Sequence, residues 1–165
     1  ILESLIQDGR IVYMAILYRD SVLYIETLFP IRRQVNYSSV GRCAPLYCTA
    51  IGKAMLAHMP EQYIQQYVQS TTLNPLTPNT ITNAQKLTDE LETIRTQGYA
   101  LDRQEVELGI QCVGAVIRGN RGTVIGAISI SGSQHEIDFN NIDLLSSDIM
   151  SASREISKKV ASSGY

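Results

Sequence analysis

The run QCVGAVIRGNRGTVIGAISIS, residues 111–131, decides the architecture. Two β-rich segments, 111–118 and 123–131, flank Gly119, Asn120, Arg121 and Gly122. Gly and Asn tolerate the backbone angles that a tight reversal needs, so this spacing predicts an antiparallel hairpin. The second segment alternates imperfectly and is mostly apolar at Val124, Ala127 and its isoleucines, which predicts a strand covered on both faces.

Working outward, residues 11–18 and 21–28 form a second β-rich pair separated by Arg19 and Asp20. Arg-Asp is not a preferred type I′ pair, yet a two-residue gap still indicates a hairpin. Pro30 ends that strand, and residues 34–39 suggest a shorter third one. Pro45 interrupts regular pairing in the small-residue segment that follows, and Thr49 opens a helical stretch running to Pro60. A short helix at 61–69 and a polar loop at 71–80 come next. Thr82 is the expected N-cap of the third helix; Leu87, Leu91 and Ile94 mark its buried face, and Gly98 its stop. The last helix, 141–160, carries the stripe Ile142, Leu145, Ile149, Ala152, Ile156 and Val160, a helical spacing. Residues 1–7 are apolar at 1, 2, 5 and 6, again a helical spacing that ends at Asp8 and Gly9. Two β-meanders separated by helices cannot make alternating βαβ units. The expected class is α+β, a largely antiparallel sheet with helices on its faces.

At 165 residues, with 44% hydrophobic and 18% charged residues, the chain holds enough apolar material for one real core. Wholesale disorder and fibrous assemblies are excluded, and no apolar run approaches the roughly 20 residues that cross a bilayer. Opening on Ile1 without a basic leader, the sequence is expected to continue a longer chain upstream. Fourteen Lys and Arg against sixteen Asp and Glu give a net charge of −2, with basic pairs only at Arg32 with Arg33 and Lys158 with Lys159. Such a balance predicts poor binding of nucleic acid by these residues alone. The cysteines, Cys43, Cys48 and Cys112, are odd in number, which suits reduced cytosolic thiols.

Three segments could carry chemistry. If Thr49 caps its helix, the amides of Ala50, Ile51 and Gly52 are donors at a positive dipole end, able to hold an anion; Lys53 adds charge or points to solvent. An ordinary capped helix accounts for the same residues. The connection 98–112 is rich in acids at Asp102, Glu105 and Glu107, able to accept hydrogen bonds from a polar ligand, and Glu107 suits a plain surface loop. Ser129 and Ser131 alternate with Ile130, so both hydroxyls face one way, toward a pocket wall or toward local backbone partners. Cys112 has no recognisable spacing to His58 or His135, the only histidines, which disfavours a thiol nucleophile. Cys43 and Cys48 lack the second pair that a zinc site needs. No metal or cofactor is expected.

The run Gly41 to Ala57, with Pro45, Leu46, Tyr47, Thr49, Ala50, Gly52, Lys53 and Ala54, resembles the signature G-x-x-x-P-L-(H/Y)-x-(T/S)-A-x-G-K-A-x-L-A of the isocitrate lyase regulator (IclR) family of bacterial transcription factors. Gly98, Tyr99, Asp102, Glu105, Gly109 and Cys112 resemble its second block, and residues 125–132 its A-A-I-S-I-S-G strand. The resemblance spans essentially all 165 residues, in the family's order and spacing. It implies a GAF-like effector-binding domain over 9–165, with a curved, largely antiparallel sheet flanked by helices. Residues 1–8 would end a linker helix from a winged helix-turn-helix DNA-binding domain outside this chain.

Family ligands are small carboxylates. Residue by residue, the resemblance implies that Ala50, Ile51 and Gly52 offer amides to the ligand carboxylate and that Asp102 accepts from its hydroxyls. Cys112 would line the pocket, and Ser129 and Ser131 would donate, with Glu105, Thr49 and Ala44 in support. Ile51 and Tyr47 depart from the smaller residue and the His often found there, which changes pocket volume or polarity. The run from Pro45 to Lys53 looks like members that sense sugar acids. Homodimers or homotetramers, operator DNA reached through the other domain, and a cytoplasmic setting are implied as well. An enzyme acting on a small acid and a ligand-free oligomerisation module are the rival readings.

Overall fold

A computed structural model describes residues 1–6, 9–30 and 39–163. Its sheet has six strands in the order β3-β2-β1-β6-β5-β4, every neighbouring pair antiparallel. In chain order these are β1 (Ile11–Tyr18), β2 (Ser21–Leu28), β3 (Cys43–Pro45), β4 (Ala100–Arg103), β5 (Ile110–Arg118) and β6 (Val124–Ser133). Between the two meanders stand α1 (Ala50–Leu56), α2 (Glu61–Ser70) and α3 (Ala84–Gln97), and α4 (Asp143–Ser162) closes the chain. The class is α+β, as the element order requires, and the sheet is curved.

The hairpins form for the expected reasons. Arg19 and Asp20 take left-handed φ values of 46° and 59°, as a type I′ turn demands despite the unfavoured pair. At the other turn Gly119 N–H donates to Thr123 O at 2.8 Å and joins β5 to β6. The β1–β6 ladder, which sets Tyr13 against Ser129 and Val12 against Ile130, ties the two hairpins into one sheet.

One sheet face packs against α4. Val12, Val113, Ala115, Ile117, Ile128 and Ile130 meet Leu145, Ile149, Ala152 and Ile156 there, so the predicted stripe is the buried one. Each fully buried Val, Leu or Ile side chain there contributes about 1.5–3 kcal/mol. Ser153 Oγ donates to Val116 O at 2.7 Å and pins the helix to β5. The opposite face carries Ala15, Val22 and Ala127 against Leu46, Ile51, Met55, Leu87, Leu91 and Ile94 from α1, α3 and the segment before α1. No helix among the described residues is long and apolar enough to cross a membrane.

Several expectations are corrected. Pro45 does not block pairing: Cys43–Pro45 is a strand on β2, at the sheet edge where a missing N–H is tolerated. The N-cap of α3 is Asn83, whose Oδ1 accepts from Lys86 N at 3.0 Å, rather than Thr82. Residues Leu2–Leu5 form a short 3₁₀ turn with Leu5 buried, in place of the α-helical spacing read over 1–7. The strand expected over 34–39 and the Arg32 and Arg33 pair lie, apart from Ser39, outside the described residues.

Candidate functional site

The start of α1 lies over β5 because both contact positions lack bulk. A Cβ on Gly114 would sit 2.7 Å from the Ala50 carbonyl carbon and oxygen and 3.0 Å from Ile51 N, so only glycine lets the helix terminus press on the strand. Gly52 is held likewise, with Leu46 backbone at 2.6 and 2.7 Å from a would-be Cβ. Thr49 caps the helix: its Oγ1 accepts from Gly52 N at 3.0 Å and donates to Pro45 O at 2.9 Å. The Gly52 amide is therefore occupied, which corrects the expectation that it would receive a ligand. Ala50 and Ile51 remain at the rim of a cavity of about 160 Å³.

That cavity is lined by Thr49, Ala50 and Ile51 from the α1 terminus, by Asp102 and Cys112 from the paired strands β4 and β5, and by Ser129 and Ser131 from β6. The β4–β5 register sets Asp102 against Cys112, and the β5–β6 register sets Cys112 against Ser131, so three neighbouring strands bring these residues together. Asp102 thus lies on a four-residue strand, not on the irregular connection expected. Ser129 is only 4% exposed, and its hydroxyl has no protein partner among the described residues. Alternation turns Ser129 and Ser131 into the cavity while Ile128 and Ile130 enter the α4 core.

Tyr13 and Tyr24 complete the wall, their rings 5.2 Å apart and tilted by 52°. Sequence reasoning missed both; the usable signal was the alternation of Tyr13 and Ala15 on β1, which puts them on one face. Glu107 stands exposed at the rim. Ala44 does not line this cavity; it sits on β3 opposite Val22 and packs against the core. The volume suits a small metabolite, below the about 300–1,000 Å³ of drug-sized sites.

Behind the cavity lies a buried charge network. Lys53, expected at the surface or beside an anion, is 0% exposed, with Nζ 2.5 Å from Glu105 Oε1 and 3.0 Å from Glu90 Oε1. Arg103 reaches Glu90 Oε1 at 3.0 Å from outside. Glu105 is 2% exposed, its Oε2 lacks a partner among the described residues, and it stays behind the cavity wall. Its backbone N–H donates to Asp102 Oδ1 at 2.7 Å, so the ion pair fixes the aspartate through the chain. Thr80 and Thr77 staple the loop by donating to Glu105 O and Gln104 O at 2.6 and 2.7 Å.

Asp102 is 3% exposed, and burial pushes its carboxyl up to about 6, with the Glu105 carboxylate adding to the rise while the Glu105 N–H and Lys53 oppose it. Burial, then the adjacent Asp102 carboxylate, push the Cys112 thiol up. Burial raises Cys48 to about 12. No histidine is among the residues lining this cavity, and no group of three or more metal-ligating side chains occurs among the described residues.

Against known proteins, the family model described as bacterial transcriptional regulator IclR C-terminal matches residues 2–158. The transcriptional regulator KdgR of Escherichia coli is 30% identical over 154 residues, covering 93% of this chain and 59% of that protein. The regulator Rv1719 of Mycobacterium tuberculosis is 44% identical over 106 residues, covering 64% of this chain and 40% of that one. The chain thus spans 40–59% of the length of these two relatives. Among solved structures, the Thermotoga maritima IclR protein superposes with a TM-score of 0.90 at 35% identity, covering 97% of this chain and 65% of that chain. The C-terminal domain of Escherichia coli KdgR gives 0.80 at 29% identity, covering 92% and 88%. Together with the three sequence blocks, the sheet order and the cavity, the match over residues 2–158 places the chain in the IclR family of bacterial transcriptional regulators, as its effector-binding domain.

Proposed function

We propose that this domain senses a small carboxylate metabolite, a hydroxy acid of the sugar-acid kind, in the cavity between the start of α1 and β6. The carrying observation is convergence: the two residues that open α1, a buried aspartate and an unpartnered serine hydroxyl line one small volume. The ligand carboxylate docks on Ala50 and Ile51, where backbone donors and the peptide dipoles favour negative charge. Its hydroxyls donate to Asp102 and exchange hydrogen bonds with Ser129 and Ser131, with Cys112 filling the wall as a thiol. The lean to sugar acids rests on the resemblance of the run from Pro45 to Lys53 to members that sense them.

In this reading the domain is a sensor rather than an enzyme: burial and the Asp102 carboxylate keep the cavity thiol protonated, and no histidine lines the site beside it. It works in the cytoplasm as a homodimer or homotetramer, residues 1–8 ending the linker from a DNA-binding domain. Ligand binding shifts two arrangements of the regulator that differ in operator affinity. A coupling of roughly 1–3 kcal/mol gives a 5- to 150-fold change in that affinity.

Thermal unfolding with a panel of small hydroxy and keto acids (glycerate, gluconate, pyruvate) tests the reading. At least one acid is expected to raise the midpoint, and Asp102→Ala to abolish the rise while the variant still folds. An undiminished rise in that variant would remove Asp102 from the site; no rise with any acid would favour a ligand-free oligomerisation module.

A further inference from the structure

A second concavity of about 370 Å³ lies away from the effector cavity and shares no lining residue with it. Cationic side chains from three elements converge on it: Arg95 from α3, Arg118 from the end of β5, and Arg154 and Lys158 from α4, with His58 just after α1. No Asp or Glu is among its lining residues. The chain has sixteen acids against fourteen bases, so this exclusion is an arrangement and not a result of composition.

Arg95 is already used, its Nη2 3.2 Å from Glu61 Oε2 and its Nε donating to Ala57 O. Arg118, Arg154 and Lys158 have no ion-pair partner among the described residues, whereas the neighbouring Lys159 pairs with Glu155. Arg154 and Lys158 stand one turn apart on α4, a like-charge spacing that disfavours the helix unless an anion lies between them. The floor is rigid, because Arg118 N donates to Ser157 Oγ at 2.9 Å and Ser157 Oγ donates to Ser153 O at 2.7 Å.

We propose that this cleft is a second ligand site, which takes a compact polyanion of the phosphate type, such as a phosphorylated metabolite. Three unpaired cations call for more than one negative charge, and guanidinium forks match phosphate oxygens bidentately. The volume of about 370 Å³ suits a small molecule. His58 adds a polar edge: its Nδ1 lies 2.9 Å from Ala54 O, an acceptor, so Nδ1–H donates there and Nε2 is left for the ligand. Burial holds the imidazole below its ordinary pKa, and Arg118 and Arg95 add to that. Arg154 and Lys158 from α4 line the same cleft, and Glu61 from α2 is engaged with Arg95. A bound polyanion offsets these cations and favours the imidazolium.

The test is calorimetric titration of the 165-residue chain with inorganic pyrophosphate at fixed ionic strength, alongside NMR titration of the His58 ring. Saturable one-to-one binding is expected, weakened about tenfold or more in Arg118→Gln/Arg154→Gln. Ser129→Ala in the effector cavity should leave pyrophosphate affinity unchanged, and the His58 midpoint should rise on saturation. Thermal unfolding of the double variant checks that it folds; losing uncompensated like charges should leave its midpoint unchanged or higher. No saturable binding in the millimolar range, equal affinity in the double variant, or loss of binding in Ser129→Ala would each overturn the proposal. Binding of a short DNA duplex through the same arginines, without binding of pyrophosphate, would overturn it in favour of a nucleic-acid contact. None of these outcomes depends on whether a carboxylate occupies the other cavity.

Discussion

The two faces of the sheet meet the same physical demand in opposite ways. Toward α4, β6 presents Ile128 and Ile130, which mate with Leu145, Ile149 and Ala152, and the seam is apolar. Toward α1, the intervening residues are Ala127, Ser129 and Ser131, and past Ala127 the packing opens into a cavity backed by a buried lysine and two buried acids. Apolar burial alone would hold both sides. The α1 side instead carries charges whose desolvation must be offset by their pairing, a costly solution in a stable core and a useful one beside a polar ligand. On the proposed function, one face supplies stability and the other trades part of it for recognition.

The largest expected effect comes from breaking the network on the polar side. Lys53→Met leaves Glu105 buried without its counter-charge and should cost about 3–5 kcal/mol in chemical denaturation. Adding Glu105→Gln should recover part of that loss; a double variant as unstable as the sum of the singles would mean the pair is not coupled. Next is Ile149→Ala on the apolar side, expected to cost about 2–5 kcal/mol while leaving the thermal response to a bound acid unchanged. If that response vanished, the two faces would not be functionally separate.

The smallest effect sharpens the contrast by pH. Burial raises the Asp102 carboxyl from 3.8 to about 6, so the folded state holds its proton where the unfolded chain has released it. The parent is then most stable, on this account, below the unfolded value and loses that contribution as pH rises through the folded one. Asp102→Asn keeps an oxygen for the Glu105 N–H and cannot ionise. It should equal the parent near pH ~4 and exceed it by roughly 1–3 kcal/mol near pH ~8. A constant difference between the two proteins across that range would show that Asp102 titrates normally.

What the sequence disclosed divides along the same line. The α4 stripe and the Ser129, Ile130, Ser131 alternation were legible because helical and strand periods encode which side is buried. Thr49 as a cap and Gly98 as a stop were legible from local chemistry, and Gly98 does take φ 88°. Lys53 was not legible: its carboxylates lie 37 and 52 residues away, and a lysine on a short helix ordinarily points to water. Nor were Tyr13 and Tyr24, whose place in the wall follows from strand register across the sheet. The cationic cleft gathers residues from three elements without any motif, so only the fold reveals it.

The most direct measurement is amide NMR of the start of α1 during titration with an acid that raises the unfolding midpoint. On the proposed docking, the Ala50 and Ile51 amide protons are expected to move downfield together and saturate, while Gly52, already bonded to Thr49, moves little. Saturating shifts that leave Ala50 and Ile51 unmoved and gather instead around Arg118 and Ser157 would contradict it.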